Sequence, residues 1–120
     1  MPNVYLGISI CDQEDADRML PELLRIPGRH WVSVEPQLSR IDIDNYLPGW
    51  SGEEAHLDWA VIGCESGPKR RPCELGWMEY LAKRCKRAGM PIWVKQVNIG
   101  GKVVRDIKLL PEALKVWEIP

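Results

Sequence analysis

Glu35, Glu65 and Lys95 each stand at or near the end of a short β-branched or aromatic run: "HWVSVEP", "LDWAVIGCE" and "PIWVKQV". If those runs are neighbouring strands of a parallel sheet, the three charges converge in one pocket, because ligand sites of such folds lie beyond the C-terminal strand ends. Charges gathered in that way mark functional sites more often than chance, although a paired Lys and Glu also serve as a purely structural ion pair. Behind Glu65 follows "ESGPKRRP", residues 65 to 72. Ser66, Gly67 and the cations Lys69, Arg70 and Arg71 could hold an anion through backbone N–H groups and guanidinium forks. They read equally well as a solvated charge run, and the loop matches neither a Walker nor a dinucleotide fingerprint.

Other chemistry is harder to build. Residues 69 to 87 carry seven Lys or Arg against two Glu, a local excess suited to phosphates, yet "KRCKR" is also what the wet face of an amphipathic helix looks like. A serine-hydrolase elbow needs Gly-x-Ser-x-Gly, and "GCESG" puts one residue too many before the Ser. His30 and His56 each begin a strand, at the wrong end for chemistry with Glu65, and read as surface or structural. Cys11, Cys64, Cys73 and Cys85 form no CxxC pair and fit no common metal-ligand spacing, so they are expected to be free, reduced thiols and to hold no metal. Among the Trp residues, Trp77 and Trp93 are expected in the core, and Trp31 and Trp50 are the plausible stacking surfaces.

The elements that must position these groups follow from periodicity. "NVYLGISI" reads as a strand, and Ala16, Met19, Leu20, Leu23, Leu24 and Ile26 recur behind an acidic start at helical spacing. Pro21 is expected to kink or restart that helix. "HWVSVEP" is a second strand stopped by Pro36, and residues 37 to 56 form an irregular insertion with at most a turn around "RIDIDNYL". "LDWAVIGCE" is a third strand, "CELGWMEYLAKRCKRAG" the clearest helix, and "MPIWVKQV" a fourth strand. A Gly-Gly turn, a short strand at Val103-Val104 and a helical turn near Pro111 to Leu114 complete the chain. Alternating strands and helices imply crossovers and a parallel sheet.

Alternation along each strand divides the side chains between two faces. Leu6, Ile8 and Ile10, Val32 and Val34, Ile62 and Cys64, and Ile92 and Val94 make an aliphatic face suited to helices. Gly7, Ser9 and Cys11, Trp31, Ser33 and Glu35, Gly63 and Glu65, and Trp93 and Lys95 make the other, which becomes charged toward the strand ends. At 120 residues, a formal charge of −1 and 45% hydrophobic residues, the chain is one globular domain with no overall pull toward nucleic acid or membrane. No apolar run approaches the roughly 18 residues of a membrane span, and the N-terminus lacks the features of a signal peptide, so a cytoplasmic location is expected.

Four phrases, "VYLGISI", "WVSVEP", "DWAVIGCESGP" with Arg71-Pro72, and "PIWVKQ", resemble in order and spacing the C-terminal half of the bacteriophage gene-product thirty-seven/sixty-eight family, itself similar to the radical S-adenosylmethionine (SAM) barrels. The resemblance covers nearly the whole chain. It implies a half or partial (β/α) barrel of four to five strands, with Ser33, Glu35, Glu65, Ser66, Arg71, Lys95 and Gln96 lining the SAM and substrate side of the pocket. In the family a CxxxCxxC motif in the first barrel half holds a [4Fe-4S] cluster that reduces SAM. That motif is absent here; Cys11 stands where members often have an acidic residue and Cys64 where they often have Gly. The implied function is that of a C-terminal barrel portion facing SAM and substrate, inactive alone, with no catalytic residue assigned and no cofactor of its own. The alternative is a stand-alone module binding an anion or nucleic acid through Lys69, Arg70 and Arg71. A half-barrel leaves sheet edges and an inner face uncovered, so the expected partner is a second copy or a missing N-terminal half, unless the 37 to 56 insertion with Tyr46 and Trp50 folds over that face.

Overall fold

A computed structural model of the chain describes residues 4–49 and 55–120. Trp50, one of the expected stacking surfaces, lies outside the described residues. Four parallel strands, β1 (Tyr5–Ile10), β2 (Arg29–Val34), β3 (Trp59–Gly63) and β4 (Ile92–Ile99), lie side by side in chain order, and β5 (Lys102–Val104) returns antiparallel to β4. The return is made at Gly100-Gly101, whose φ angles of 58° and 80° are those of a two-residue primed turn open mainly to glycine.

Helix α1 (Gln13–Leu24) joins β1 to β2, and α2 (Leu75–Arg87) joins β3 to β4. Asp12 caps α1 by accepting from the Asp15 N–H at 2.8 Å, and the carboxylates of Glu14 and Asp15 sit where the helix dipole favours them. One helix runs through Pro21, so of the two expectations there, a kink or a restart, the restart does not occur. Packing explains this, since Leu20 and Leu23 on either side of Pro21 are buried against the sheet and hold the turn in place of the missing hydrogen bond. Helix α2 closes with the paired bonds Gly89 N–H to Lys86 O and Met90 N–H to Cys85 O, both 3.0 Å.

Both helices pack on the same face of the sheet. Ile10, Val32, Val34, Ala60, Ile62, Ile92 and Val94 are buried from the strands, with Ala16, Leu20 and Leu23 of α1 and Met78, Leu81, Ala82 and Cys85 of α2 opposite them. The sheet is therefore wound in one direction only, as in a sector of a (β/α) barrel, and is open rather than closed. The connection between β2 and β3 has, among its described residues, a 3₁₀ turn at Asp44–Tyr46 and no α-helix, and it contributes Ile41, Ile43, Leu47 and Leu57 to the same core. Gln13 of α1 donates from Nε2 to Asp42 O at 2.9 Å and accepts from Asp42 N–H at 2.6 Å. Arg84 of α2 donates from Nε to both Asp44 carboxylate oxygens, at 2.8 and 2.9 Å. Residues 37–49 thus lie on the helical side, and among the described residues this segment leaves the opposite face of the sheet uncovered.

The C-terminal segment runs back along the outer edge of β4. Val94 N–H donates to Val116 O and Glu118 N–H to Ile92 O, both at 2.9 Å, and Leu110, Leu114 and Val116 are buried. Trp93 lies on the uncovered face rather than in the core, where its ring stacks on Trp117 at 5.4 Å with planes 4° apart, and Trp77 is only half-buried. The thiols also depart from expectation: Cys64 and Cys73 form a disulfide, and Cys11 and Cys85 are free. Spacing alone misleads here, because the loop after β3 folds back and brings the two Cα atoms to 5.7 Å.

Candidate functional site

The uncovered face is ordered in rows by the strand register. Gly7, Trp31 and Trp59 are direct neighbours across β1, β2 and β3, and Trp31 and Trp59 pack with ring centroids 5.6 Å apart. The next row toward the C-terminal ends holds Ser9, Ser33, Val61 and Trp93. Beyond it come Glu35, Lys95 and Gln96. Large rings thus fill the floor, small hydroxyls occupy the middle, and charge stands at the rim. Layers of this kind characterise the inside of a barrel, with chemistry at its C-terminal mouth.

At the rim, Lys95 Nζ lies 3.4 Å from Glu35 Oε1, and Gln96 Nε2 donates to the same oxygen at 3.0 Å. Two consecutive residues of one strand would ordinarily point to opposite faces. They share a partner because the pairing of β3 with β4 slips: Ile62 is opposite Val94, but Gly63 is opposite Gln96, leaving Lys95 as the extra residue of a bulge. Gln96 then crosses above Gly63, where a Cβ would lie 2.8 Å from its Nε2, and donates also to Cys64 O. The Gln96 side chain is buried, Glu35 is three-quarters covered, and Lys95 stands out in solvent.

Glu65 does not join this cluster. Its carboxylate receives Arg71 three times, from the backbone N–H at 2.6 Å, Nε at 3.1 Å and a terminal nitrogen at 3.0 Å. These bonds, side-chain first and then backbone, hold the Glu65 carboxyl below the usual carboxylate range and push the Arg71 guanidinium up. The expected convergence of Glu35, Glu65 and Lys95 therefore resolves into two units, Glu35–Lys95–Gln96 and Glu65–Arg71. The reason is local: a loop that turns back after β3 offers Glu65 a bidentate Arg before any strand neighbour can reach it. Ser33 is half-buried in the middle row, and Ser66 is exposed at the base of the loop.

The cations of the alternative reading are partly occupied. Arg70 donates to the carbonyls of Gly67, at 3.3 Å, and Gly101, while Lys69 is exposed. Arg84, one of the "KRCKR" cations, belongs to the Asp44 pair, and both it and Arg40 lie over the Tyr80 ring, 4.8 and 4.7 Å from its centre. Asp44 escaped sequence reasoning because it sits in an irregular segment, and the disulfide because it depends on how the loop after β3 folds back. Trp117 was accessible to it, as "KVWEI" alternates like a strand.

Among the described residues no group of three or more His, Cys, Asp or Glu is placed to hold a metal ion. With Cys64 and Cys73 joined and the Cys85 thiol pushed by burial up to about 12, the cysteines do not fit an iron–sulfur cluster. No helix among the described residues is long and apolar enough to cross a membrane. The family described as "Protein of unknown function (DUF5131)" matches residues 1–108. No curated protein and no solved structure matches the chain.

Proposed function

The chain belongs to the DUF5131 family, and from that premise we propose that it is the C-terminal portion of a cytoplasmic, radical-SAM-like barrel protein similar to the phage family named above. The observation that carries this reading is the rim cluster, Glu35 with Lys95 and Gln96, at the C-terminal ends of a singly wound parallel sheet whose inner face is uncovered. Its charges suit the amino-acid end of SAM: Glu35 can take the ammonium and Lys95 the carboxylate, while the Gln96 amide, its two N–H groups committed to Glu35 and Cys64 O, holds Glu35 in place. The rest of a ligand would lie over the small side chains of Ser33 and Ser9 in the next row and the indole row beyond them. SAM when bound would supply the group or radical to be transferred. This chain's residues bind and orient, and the reductive step belongs to groups outside it.

The rival, a stand-alone anion- or nucleic-acid-binding module, draws less support because Arg70 and Arg71 are engaged within the chain. An NMR titration separates the two. With SAM, amide shifts are expected at Ser33, Glu35, Lys95 and Gln96, and they should disappear in Glu35→Gln. Shifts confined to Lys69, Arg70 and the α2 cations on adding an oligonucleotide, falling steeply with salt, would favour the module. No response to millimolar SAM would remove the barrel-mouth reading.

A further inference from the structure

We infer that the Cys64–Cys73 disulfide is a reducible latch that sets the order of the loop carrying Glu65, Ser66 and Arg71 and, through Gln96, the geometry of the rim cluster. The bridge spans nine positions of sequence and fastens the neck of a loop whose second fastening is the Glu65–Arg71 clamp. Cys64 is the half that touches the rim: its residue is fully buried, its Sγ lies 3.4 Å from Met78 Sδ beneath α2, and its N–H donates to Gln96 O at 3.1 Å. Its carbonyl accepts from the same Gln96 Nε2 that donates to Glu35. Cys73 is only half-buried, in the irregular segment before α2, and is the half that can move.

Those exposures also fix the direction of the chemistry. A small dithiol meets the Cys73 sulfur: its thiolate attacks Cys73 Sγ, the S–S bond breaks, and Cys64 leaves as a thiolate that takes a proton. The second thiol of the reductant then displaces Cys73. Two electrons pass from the dithiol, which becomes a disulfide, and the protein gains two thiols; a small-molecule disulfide reverses the step. In a reducing compartment disulfides are rare and, where present, usually transient and catalytic or redox-sensing. The regulatory purpose rests on the reading of Glu35, Lys95 and Gln96 as a ligand site, whereas the latch itself does not.

The test uses the full chain with Cys11→Ser and Cys85→Ser, so that only the bridging pair remains. Trypsin cleavage after Lys69 and Arg70 is timed with and without dithiothreitol, alongside the Gln96 side-chain amide resonances. Reduction is expected to accelerate cleavage about tenfold, as the loop opens locally, and to shift the Gln96 amide pair. Adding Cys73→Ser should reproduce the fast rate and the shifted resonances with no response to reductant. Equal cleavage rates in the two states, an unmoved Gln96 amide, or ready alkylation of both cysteines in protein exposed to oxidised glutathione would overturn the proposal. Both readouts are taken without SAM, so failure of the latch and failure of the ligand reading are separately visible.

Discussion

Gly7→Ala tests whether the floor of the open face is packed as described. A Cβ built on Gly7 would stand 2.1 Å from Trp31 Nε1, 2.3 Å from Cε2 and 2.6 Å from Cδ1. Non-bonded atoms need roughly 3.5 Å, so the indole must retreat by more than about 1 Å. It is not free to do so cheaply, because its other neighbour is the Trp59 ring at 5.6 Å. Overpacking of this sort costs about 1–3 kcal/mol, and the gain of replacing Gly by Ala in a strand returns about 0.5 kcal/mol. A net loss of about 1–2 kcal/mol is expected, read from urea unfolding followed by far-UV circular dichroism, with a changed near-UV spectrum from the indole pair. The decisive arm is Trp31→Val. Without the ring, Gly7→Ala should be neutral or slightly stabilising. If the two substitutions add to within about 0.5 kcal/mol, the rings do not pack over Gly7 and the row description is wrong.

Three further outcomes are expected. Cys73→Ser, under oxidising conditions, should lower stability by about 2.5 kcal/mol, the loop-closure value for a bridge spanning nine positions, and calorimetry of the wild type with and without reductant should give a similar difference. Burial raises the Cys85 thiol from 9.0 to about 12, so the folded state keeps a proton that the unfolded chain loses; stability is unaffected below pH 9 and falls above it, by up to about 1.4 kcal/mol per pH unit, and Cys85→Ala should flatten that alkaline limb in denaturant titrations. Strand β1, uncharged and without Pro, is among the described residues an unguarded edge beside an aromatic face, so sedimentation equilibrium should detect self-association that Ser9→Lys weakens; a monomer at high micromolar concentration would show that the edge is tolerated.

Much of this architecture was legible because strand alternation and helical spacing are properties of single segments. The assignment of Leu6, Ile8 and Ile10 to one face and of Trp31, Ser33 and Glu35 to the other needed only period two. The site was harder, since it depends on offsets between segments. Gln96 stands one residue out of phase with Trp93 and Lys95, and only the slip at Gly63 brings its amide onto Glu35. Glu65 was in phase but met Arg71, because a loop's fold-back is set by turn geometry and not by periodicity. The disulfide was hidden for the same reason. Trp93 looked like core because its neighbours Ile92 and Val94 are, although its own phase places it on the open side.

The two edges of the sheet are not equivalent, and that bears on how the rim cluster can be completed. On β4 the outer hydrogen-bonding groups are already taken, by Val116 and Glu118 along one half and by β5 along the other, and Trp117 lies over Trp93. A further parallel strand could enter there only by stripping off that segment and burying Leu110, Leu114 and Val116 anew. On β1, among the described residues, the outer backbone groups have no strand beside them, so that edge is open to extension. Glu35 lies at the end of the next strand in, and Lys95 and Gln96 two strands further. A wall added beyond β1 would therefore stand opposite the cluster across the row of Ser9 and Ser33, rather than on top of it. On the barrel-mouth reading proposed above, that leaves the small hydroxyls, not the indoles, as the surface a ligand would share with an added wall.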